Sequence, residues 1–301
     1  MDLFRRFLNI LRKKVADKLT GMCKTDREAY EKYWDDISPF IKFGCIKDSK
    51  FADKLHDYIL FKDLDNKYLT LKDCIEANKK EEAEHTEEET QKNAEENKDE
   101  KEPEKTTVFY VTDPVQQSQY INMFKEAGKN AVILSHNIDT AFISHLEQRD
   151  QTLQFKRIDA DLTEELKGGD AADDDTAKTL TELFRKNLNK EKLEVKVESL
   201  KNEAVSAMMM LSEESRRMQD MMKMYNMYGM DPGMFGGQET LVLNINHPLV
   251  KFLAENQESE HAAVICEQLY DLAMISHKQL SPDEMTKFVQ RSNDILMLLT
   301  K

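Results

Sequence analysis

The stretch from Thr107 to Ser135 reads TVFYVTDPVQQSQYINMFKEAGKNAVILS and sets the fold class of the first half of the chain. Residues 107–112 and 131–135 are short apolar runs of the kind that form strands. Residues 114–127 between them are predicted to form a helix, with the proline in its first turn. A crossover helix that joins two buried strands indicates a parallel pair, so this stretch predicts an α/β sheet.

The same alternation continues with a predicted helix over residues 138–146 and a strand over residues 154–158, giving a small parallel α/β sheet domain. A helical segment precedes it. Apolar residues recur at helical spacing over residues 3–19, and we expect Gly21 to end this helix and Pro39 to end the one that follows. The first helix has a basic face, which is more typical of the solvent-exposed side of a packed helix than of a helix that lies on a membrane surface.

The composition describes a polar globular chain of 301 residues with a net charge of -14 and 33% charged residues. About two domains are expected at this length. A globally acidic surface repels phosphate, which argues against nucleic acid as a partner. No run approaches the roughly 18 to 20 apolar residues that span a bilayer, and no signal peptide is evident, so the sequence predicts a cytoplasmic protein without membrane contact.

Two segments of unusual composition divide the chain. Residues 79–105 hold twelve acidic and six basic residues and no apolar residue larger than alanine, so a disordered acidic loop is predicted. A solvated insertion is favoured there over a regulatory element. The Gly- and Asp-rich residues 169–175 are predicted to be a linker between a first domain, residues 1–168, and a second domain, residues 176–301.

The second domain is predicted to be α+β, with a helix over residues 176–188, strands over residues 192–199 and 204–210, and a terminal helical hairpin. The first arm of the hairpin spans residues 262–277 with apolar residues at three-and-four spacing, and its second arm starts at Ser281 with a capping box. Its arms are more apolar than one mutual face requires, which indicates a homodimer built as a four-helix bundle. The predicted interface residues are Ile265, Leu269, Leu272, Met285, Phe288, Val289, Ile295, Leu296 and Leu299.

Ten of the sixteen methionines fall within residues 207–234, which we call the methionine-rich stretch. Methionine is flexible and polarizable, so a surface built from it adapts to many apolar partners. A helix capped by Ser212 is predicted here, and the alternative is that it is buried as core. The residues predicted to contact partners are Met218, Met221, Met222, Met224, Tyr225 and Tyr228.

The sequence carries no motif for catalysis, metal binding or cofactor binding. Its four cysteines are far apart and its seven histidines are scattered, which is not metal-ligand spacing. With nine glycines, it has no glycine-rich phosphate loop. We therefore predict no catalytic, metal or cofactor residue in this chain.

Five separated blocks resemble the heat-shock protein 90 chaperones, in particular the bacterial HtpG branch. They are KKVADKL at residues 13–19, IKFGC at 41–45, DYILF at 57–61, NHPLV at 246–250 and QLYDLA at 268–273. The blocks occur in family order over nearly the whole chain. The resemblance covers the later middle domain and the carboxy-terminal dimerisation domain.

The resemblance implies a stress-response chaperone that forms a homodimer and binds unfolded or partly folded client proteins. It implies that the methionine helix contacts clients, and that Trp34 occupies an aromatic position of the same surface. In the full-length family, ATP and Mg bind to a domain that would precede these blocks, together with a loop carrying a catalytic arginine. This chain is therefore expected to be neither an ATPase nor a cofactor-binding protein, and residual ATP turnover is the less favoured reading. A purely structural dimerisation module is the other alternative.

Overall fold

A computed structural model provides the structure of the protein. It describes residues 2–76, 105–160, 166–169, 172–213, 215, 217, 239–298 and 300, with side chains from residue 10 onward. The chain forms two compact units. The first comprises residues 1–113 and 130–156, and the second comprises residues 114–129 and 157–301. The predicted domain boundary at residues 169–175 stays a prediction.

Unit 1 begins with three helices, α1 (Asp2–Thr25), α2 (Arg27–Lys47) and α3 (Ser49–Leu55), followed by a 3-10 helix at His56–Tyr58. Asp26 caps α2, because its carboxylate accepts a hydrogen bond of 3.2 Å from the backbone N–H of Ala29. Asp48 caps α3 in the same way through the N–H of Phe51, at 3.1 Å. Both breaks between helices therefore occur at aspartates that supply a partner for otherwise unpaired N–H groups.

The two predicted helix ends at Gly21 and Pro39 are wrong. α1 runs through Gly21 to Thr25, and Met22 just beyond the glycine packs against the core. α2 contains Pro39 in its interior. A glycine costs about 1 kcal/mol and a proline about 3 kcal/mol inside a helix, and both are tolerated here because core contacts of the same helix lie on either side.

The sheet of unit 1 has five strands: β1 (Leu60–Asp63), β2 (Tyr68–Thr70), β3 (Thr106–Val111), β4 (Val132–Ile133) and β5 (Leu153–Arg157). Their order is β2-β1-β4-β3-β5. β3 and β4 are parallel, as predicted, and β1 pairs antiparallel with β2 and with β4. Helix α4 (Ser118–Glu126) follows β3 in the chain, and α5 (Ile138–Arg149) follows β4. The sheet is therefore mixed, with an antiparallel hairpin added to the predicted parallel pair.

The interior of unit 1 combines an aromatic core with one buried ion pair. The rings of Tyr30 and Trp34 on α2 lie 5.3 Å apart between centroids, and both side chains are buried. Nearby on α2, the Nζ atom of Lys42 lies 2.5 Å from Oδ1 of Asp139 on α5, and both side chains are at most 5% exposed. Oδ2 of Asp139 accepts a hydrogen bond of 2.9 Å from the N–H of His136. This pair ties α2 to α5 within the core.

Unit 2 contains a three-stranded sheet covered by helices. Its helices are α4, introduced above, α6 (Asp174–Leu188), α7 (Pro248–Glu255), α8 (Ala262–His277) and α9 (Pro282–Leu298). Its strands are β6 (Glu194–Glu198), β7 (Ala207–Met210) and β8 (Thr240–Asn244). β8 lies in the centre, parallel to β6 and antiparallel to β7. α8 packs on β7 and on α6. The α+β architecture of the second domain is confirmed.

Two elements of unit 2, β8 and α7, were not predicted from the sequence pattern. β8 is buried along most of its length and therefore lacks the polar alternation of a half-buried strand. Its last residue, Asn244, is fully buried and satisfied by local bonds: its amide donates to the carbonyls of Asn202 and Val205, at 3.1 and 2.7 Å.

A search of the described helices for a membrane-spanning segment finds none of sufficient length and hydrophobicity.

Candidate functional site

Helix α9 begins as the sequence predicts. The Ser281 N–H donates to the Glu284 carboxylate at 2.9 Å, and the Glu284 N–H donates to the Ser281 hydroxyl oxygen at 3.3 Å. This reciprocal capping box satisfies two N–H groups at the helix start. None of the described residues of α9 is buried. The start of α9 is therefore stabilised by local hydrogen bonds, but the rest of the chain buries little of the surface of α9.

Arg291 makes most of the side-chain hydrogen bonds between α9 and α8, and Nε2 of Gln268 on α8 donates a further one to Oγ of Ser292 on α9 at 3.1 Å. The guanidinium of Arg291 donates to the Glu267 carboxylate at 2.7 Å and to Oε1 of Gln268 at 3.0 Å, and it also contacts the Asp271 carboxylate. Burial raises the pKa of Asp271 even though Arg291 acts to lower it. These three partners lie on neighbouring turns of α8, so the guanidinium fixes which side of α9 faces α8. The sequence analysis did not identify Arg291.

An apolar stripe lies on another side of α9. Met285, Val289 and Leu296 are 41%, 49% and 59% exposed, and at 100° per residue they fall within about 40° of one another. Met297 and Leu298 at the helix end and Leu272 on α8 are exposed as well. We call these six residues the hairpin surface. At 100° per residue Met297 and Leu298 lie about 100° and 160° from the centre of the stripe, so exposed apolar side chains extend around α9, and apolar exposure of this extent is typical of an interaction surface.

The other predicted interface residues are placed differently. Ile265, Phe288 and Ile295 are half-buried within the chain. Leu269 is 1% exposed and belongs to the core of unit 2, so within this chain it has no surface to offer a second copy. Leu299 lies outside the described residues. Periodicity alone did not separate the side of α8 that packs on β7 from the side that stays exposed.

The methionine-rich stretch is described only at its start. Met208, Met209 and Met210 are buried in β7, where they pack in the sheet. Ser212 follows and accepts a hydrogen bond of 3.3 Å from the N–H of Ser215, which agrees with its predicted capping role. The predicted contact residues Met218, Met221, Met222, Met224, Tyr225 and Tyr228 lie outside the described residues.

Trp34 does not lie on a surface. Its side chain is 3% exposed and packs against Tyr30 in the core of unit 1. A large aromatic side chain gains its stabilisation from such burial. Trp34 therefore presents almost no surface to a client in this fold.

The described residues offer interaction surfaces rather than reactive groups. No cluster of three or more His, Cys, Asp or Glu side chains suited to a metal ion occurs in this part of the chain. The four cysteines form no disulfide. Burial raises the pKa of Cys45, Cys74 and Cys266 to about 12, which keeps these thiols protonated and unreactive at neutral pH.

Comparison with known proteins identifies the family. The model of the Hsp90 protein family matches residues 4–301. The chain belongs to this family. The hairpin surface and the methionine-rich stretch are therefore features of an Hsp90 family chain.

Several bacterial chaperones are similar to this Hsp90 family chain. Chaperone protein HtpG of Bacteroides fragilis is 30% identical over 273 residues, which are 87% of this chain and 37% of the relative. HtpG of Porphyromonas gingivalis is 28% identical over 82% of this chain and 35% of the relative. HtpG of Helicobacter acinonychis is 25% identical over 95% of this chain and 42% of the relative. The chain thus spans a little over a third of the length of the curated relatives it matches most strongly.

Proposed function

We propose that this chain serves in a molecular chaperone, where it forms a homodimer through the hairpin surface and holds unfolded or partly folded proteins on its methionine-rich stretch. The observation that carries the proposal is the exposed apolar face of α9. Membership of the Hsp90 family and similarity to proteins named as chaperones support the same function. We further propose that residues 1–301 contribute association and client contact rather than ATP hydrolysis, because their resemblance to the family covers the later middle domain and the carboxy-terminal dimerisation domain.

The dimer follows from the geometry of the hairpin. A second copy that presents the same stripe would cover both by two-fold symmetry, which is the commonest arrangement of homo-oligomers. Burying a large apolar side chain fully stabilises by about 1.5 to 3 kcal/mol, and the stripe residues retain roughly half of that gain. Six such residues from each copy give on the order of 12 kcal/mol, against an association cost of about 4 to 15 kcal/mol. At the lowest association cost the surplus is about 8 kcal/mol, which corresponds to a dissociation constant of about 1 μM.

The client-contact proposal rests on the chemistry of methionine. Seven of the methionines lie in residues 214–238, beyond the strand that buries Met208 to Met210. Flexible thioether side chains can repack against many apolar sequences, which suits a partner without fixed structure. The alternative is a purely structural module in which these methionines are core, and the burial of the three methionines of β7 shows that part of the stretch is used in this way.

The dimer is tested by sedimentation at micromolar concentration. We expect a dimer for the unaltered chain and a monomer for Val289→Glu with Leu296→Glu, because two carboxylates per copy would enter an apolar contact and weaken it by well over a hundredfold. Lys251→Gln with Gln257→Glu makes the same change in net charge at two exposed positions outside the hairpin and should remain dimeric. A monomer for the unaltered chain would end this proposal.

Client contact is tested by suppression of aggregation of a heat-denatured reporter enzyme. Met221→Ser with Met222→Ser should reduce suppression severalfold. Gln219→Ser with Lys223→Ser, on the opposite face of the predicted helix, should leave it unchanged. Equal suppression by both pairs would favour the structural alternative.

A further inference from the structure

Helix α2 carries aromatic side chains on a side that the core of unit 1 does not cover. Tyr33, Phe40 and Phe43 are 50%, 77% and 53% exposed. At 100° per residue they lie roughly 130° around the helix from the buried side, whose middle is Trp34. Single exposed apolar residues are common on protein surfaces, but three aromatic rings on one side of one helix indicate an interaction surface.

The three rings belong to a row of six residues, which we call the α2 seam. Its members are separated alternately by four and three positions: Ala29, Tyr33, Asp36, Phe40, Phe43 and Lys47. At 100° per residue all six fall within an arc of about 80°. Alternate steps of four and three are the heptad spacing of positions a and d in a coiled coil, where one helix packs against another. The spacing therefore indicates a helix as the partner.

Two lysines near the ends of the α2 seam have no carboxylate partner. Nζ of Lys32 lies 5.9 Å from the centroid of the Tyr33 ring, and Nζ of Lys47 lies 5.6 Å from that of the Phe43 ring. Within the described chain neither lysine forms an ion pair, whereas the other two cations of α2 each bind a carboxylate. The two lysines start from positions roughly 22 Å apart along the helix axis, and both ammonium groups remain available to carboxylates of a partner.

The charges match an acidic helix better than a second copy of this chain. Asp36 is the only acidic residue of the α2 seam, so two copies would bring four lysines together with two aspartates. The surroundings are basic as well, because the first 50 residues hold twelve basic and eight acidic residues although the chain carries a net charge of -14. Screening limits the reach of the acidic surface elsewhere to about 8 Å. Carboxylates that face Lys32 and Lys47 would neutralise both ammonium groups.

We propose that the α2 seam and Lys32 form a docking surface for an acidic amphipathic helix of another protein. The partner has apolar side chains at heptad spacing, which cover Phe40 and Phe43, and carboxylates at the flanking positions, which bind Lys32 and Lys47. The α2 seam lies in unit 1, whereas the hairpin surface lies in unit 2. The inference therefore goes beyond the proposed homodimer and client contact, and it depends on neither.

The probe is a labelled synthetic helix of about 20 residues with leucine at positions a and d and glutamate at positions e and g. It is titrated with the whole chain and followed by fluorescence anisotropy, and we expect binding that weakens as salt is added. A matched helix with lysine in place of glutamate should bind at least about tenfold more weakly, because like charges would meet at both ends of the α2 seam. Absence of binding, or equal binding of the two helices, would overturn the inference.

Two variants of the chain locate the binding surface. Phe40→Ser with Phe43→Ser should weaken binding of the glutamate helix at least about thirtyfold, because most of the apolar contact is lost. Lys32→Gln with Lys47→Gln keeps the aromatic rings and should weaken binding about fivefold while removing most of its salt dependence. The emission of the buried Trp34 checks that unit 1 stays folded in both variants. Unaltered affinity in the phenylalanine variant, or an unaltered salt dependence in the lysine variant, would contradict the proposed contact.

A variant of the hairpin surface separates this inference from the proposed homodimer. Val289→Glu with Leu296→Glu should bind the glutamate helix as the unaltered chain does. Loss of binding in this variant would assign the helix to the hairpin surface and overturn the inference. Self-association of this variant that Phe40→Ser with Phe43→Ser removes would make a second copy the partner. Binding of phosphatidylglycerol vesicles instead of the helix would make a membrane the partner, and either result would overturn the inference as well.

Discussion

Replacing Lys42 by methionine should destabilise unit 1 strongly, because the substitution leaves the Asp139 carboxylate buried without its cation. The 2.5 Å bond from Nζ to Oδ1 is lost, while the N–H of His136 still binds Oδ2 at 2.9 Å and the Nδ1 atom of His136 lies 3.8 Å from Oδ2. Breaking a buried pair by removing one partner costs about 3 to 5 kcal/mol. Lys42→Met with Asp139→Asn should recover most of this loss, because a neutral amide oxygen can still accept from His136 without a buried charge.

An exposed ion pair of similar length supplies the matched control. Lys54 and Asp17 lie 2.8 Å apart, but their side chains are 41% and 57% exposed. Such a pair contributes at most about 1 kcal/mol, so Lys54→Met should be nearly neutral. Comparing Lys42→Met with Lys54→Met therefore separates the effect of burying an ion pair from the effect of its N–O distance.

Urea unfolding followed by tryptophan fluorescence is the appropriate assay. Trp34 is the only tryptophan and is buried in unit 1, so its emission reports on the unit that contains Lys42. The midpoint should fall sharply for Lys42→Met, partly recover in the double variant, and stay in place for Lys54→Met. A loss below about 1 kcal/mol for Lys42→Met would refute the reasoning, since Asp139 would then have found water or another partner.

Three further predictions concern α9, Glu239 and the cysteines. Arg291→Met should speed amide exchange throughout residues 282–298, because it removes the guanidinium that binds α8. Lys287→Met, on the exposed side of α9, should leave exchange unchanged. Unchanged exchange in both variants would show that other contacts hold the helix. Glu239 has a folded-state pKa of about 2 against an ordinary value of 4.5, so its stabilisation is complete above about pH 4.5 and is lost as the pH falls toward 2. At about 1.4 kcal/mol per pH unit this is at most about 3 kcal/mol, and acid unfolding of the Glu239→Gln variant should lack it. Alkylation of the native chain should modify Cys23 first and the buried Cys45, Cys74 and Cys266 only after unfolding; simultaneous reaction of all four thiols would contradict their burial.

The sequence predicted best those elements whose local signals and burial agree. Residues 262–277 have a three-and-four apolar spacing and form α8 with the predicted bounds. The capping box at Ser281 marks the start of α9 for the same reason. β8 was missed because a strand buried on both faces has no alternation to detect, and α1 continues past Gly21 because packing overrides propensity.

The candidate surfaces were predictable only in part. The sequence indicates that the terminal hairpin has surplus apolar residues, but assigning Leu269 to the core and Leu296 to the surface requires the position of β7. The buried charged contacts of Arg157, Asp159 and His277 were not predictable, because Asp159 and His277 are more than a hundred residues apart and come together only in the folded chain. Buried charge networks generally lack a local sequence signal for this reason.

The order of strands in unit 2 has a consequence for synthesis on the ribosome. β6 and β7 are made first, yet neither pairs with the other, because β8 lies between them. Until residue 244 has emerged, the charged strand β6 and the apolar strand β7 both lack a hydrogen-bonding neighbour from this sheet. Unit 2 therefore cannot form its sheet strand by strand as it is translated. While β7 is exposed, the nascent chain has the unfolded apolar surface that chaperones bind.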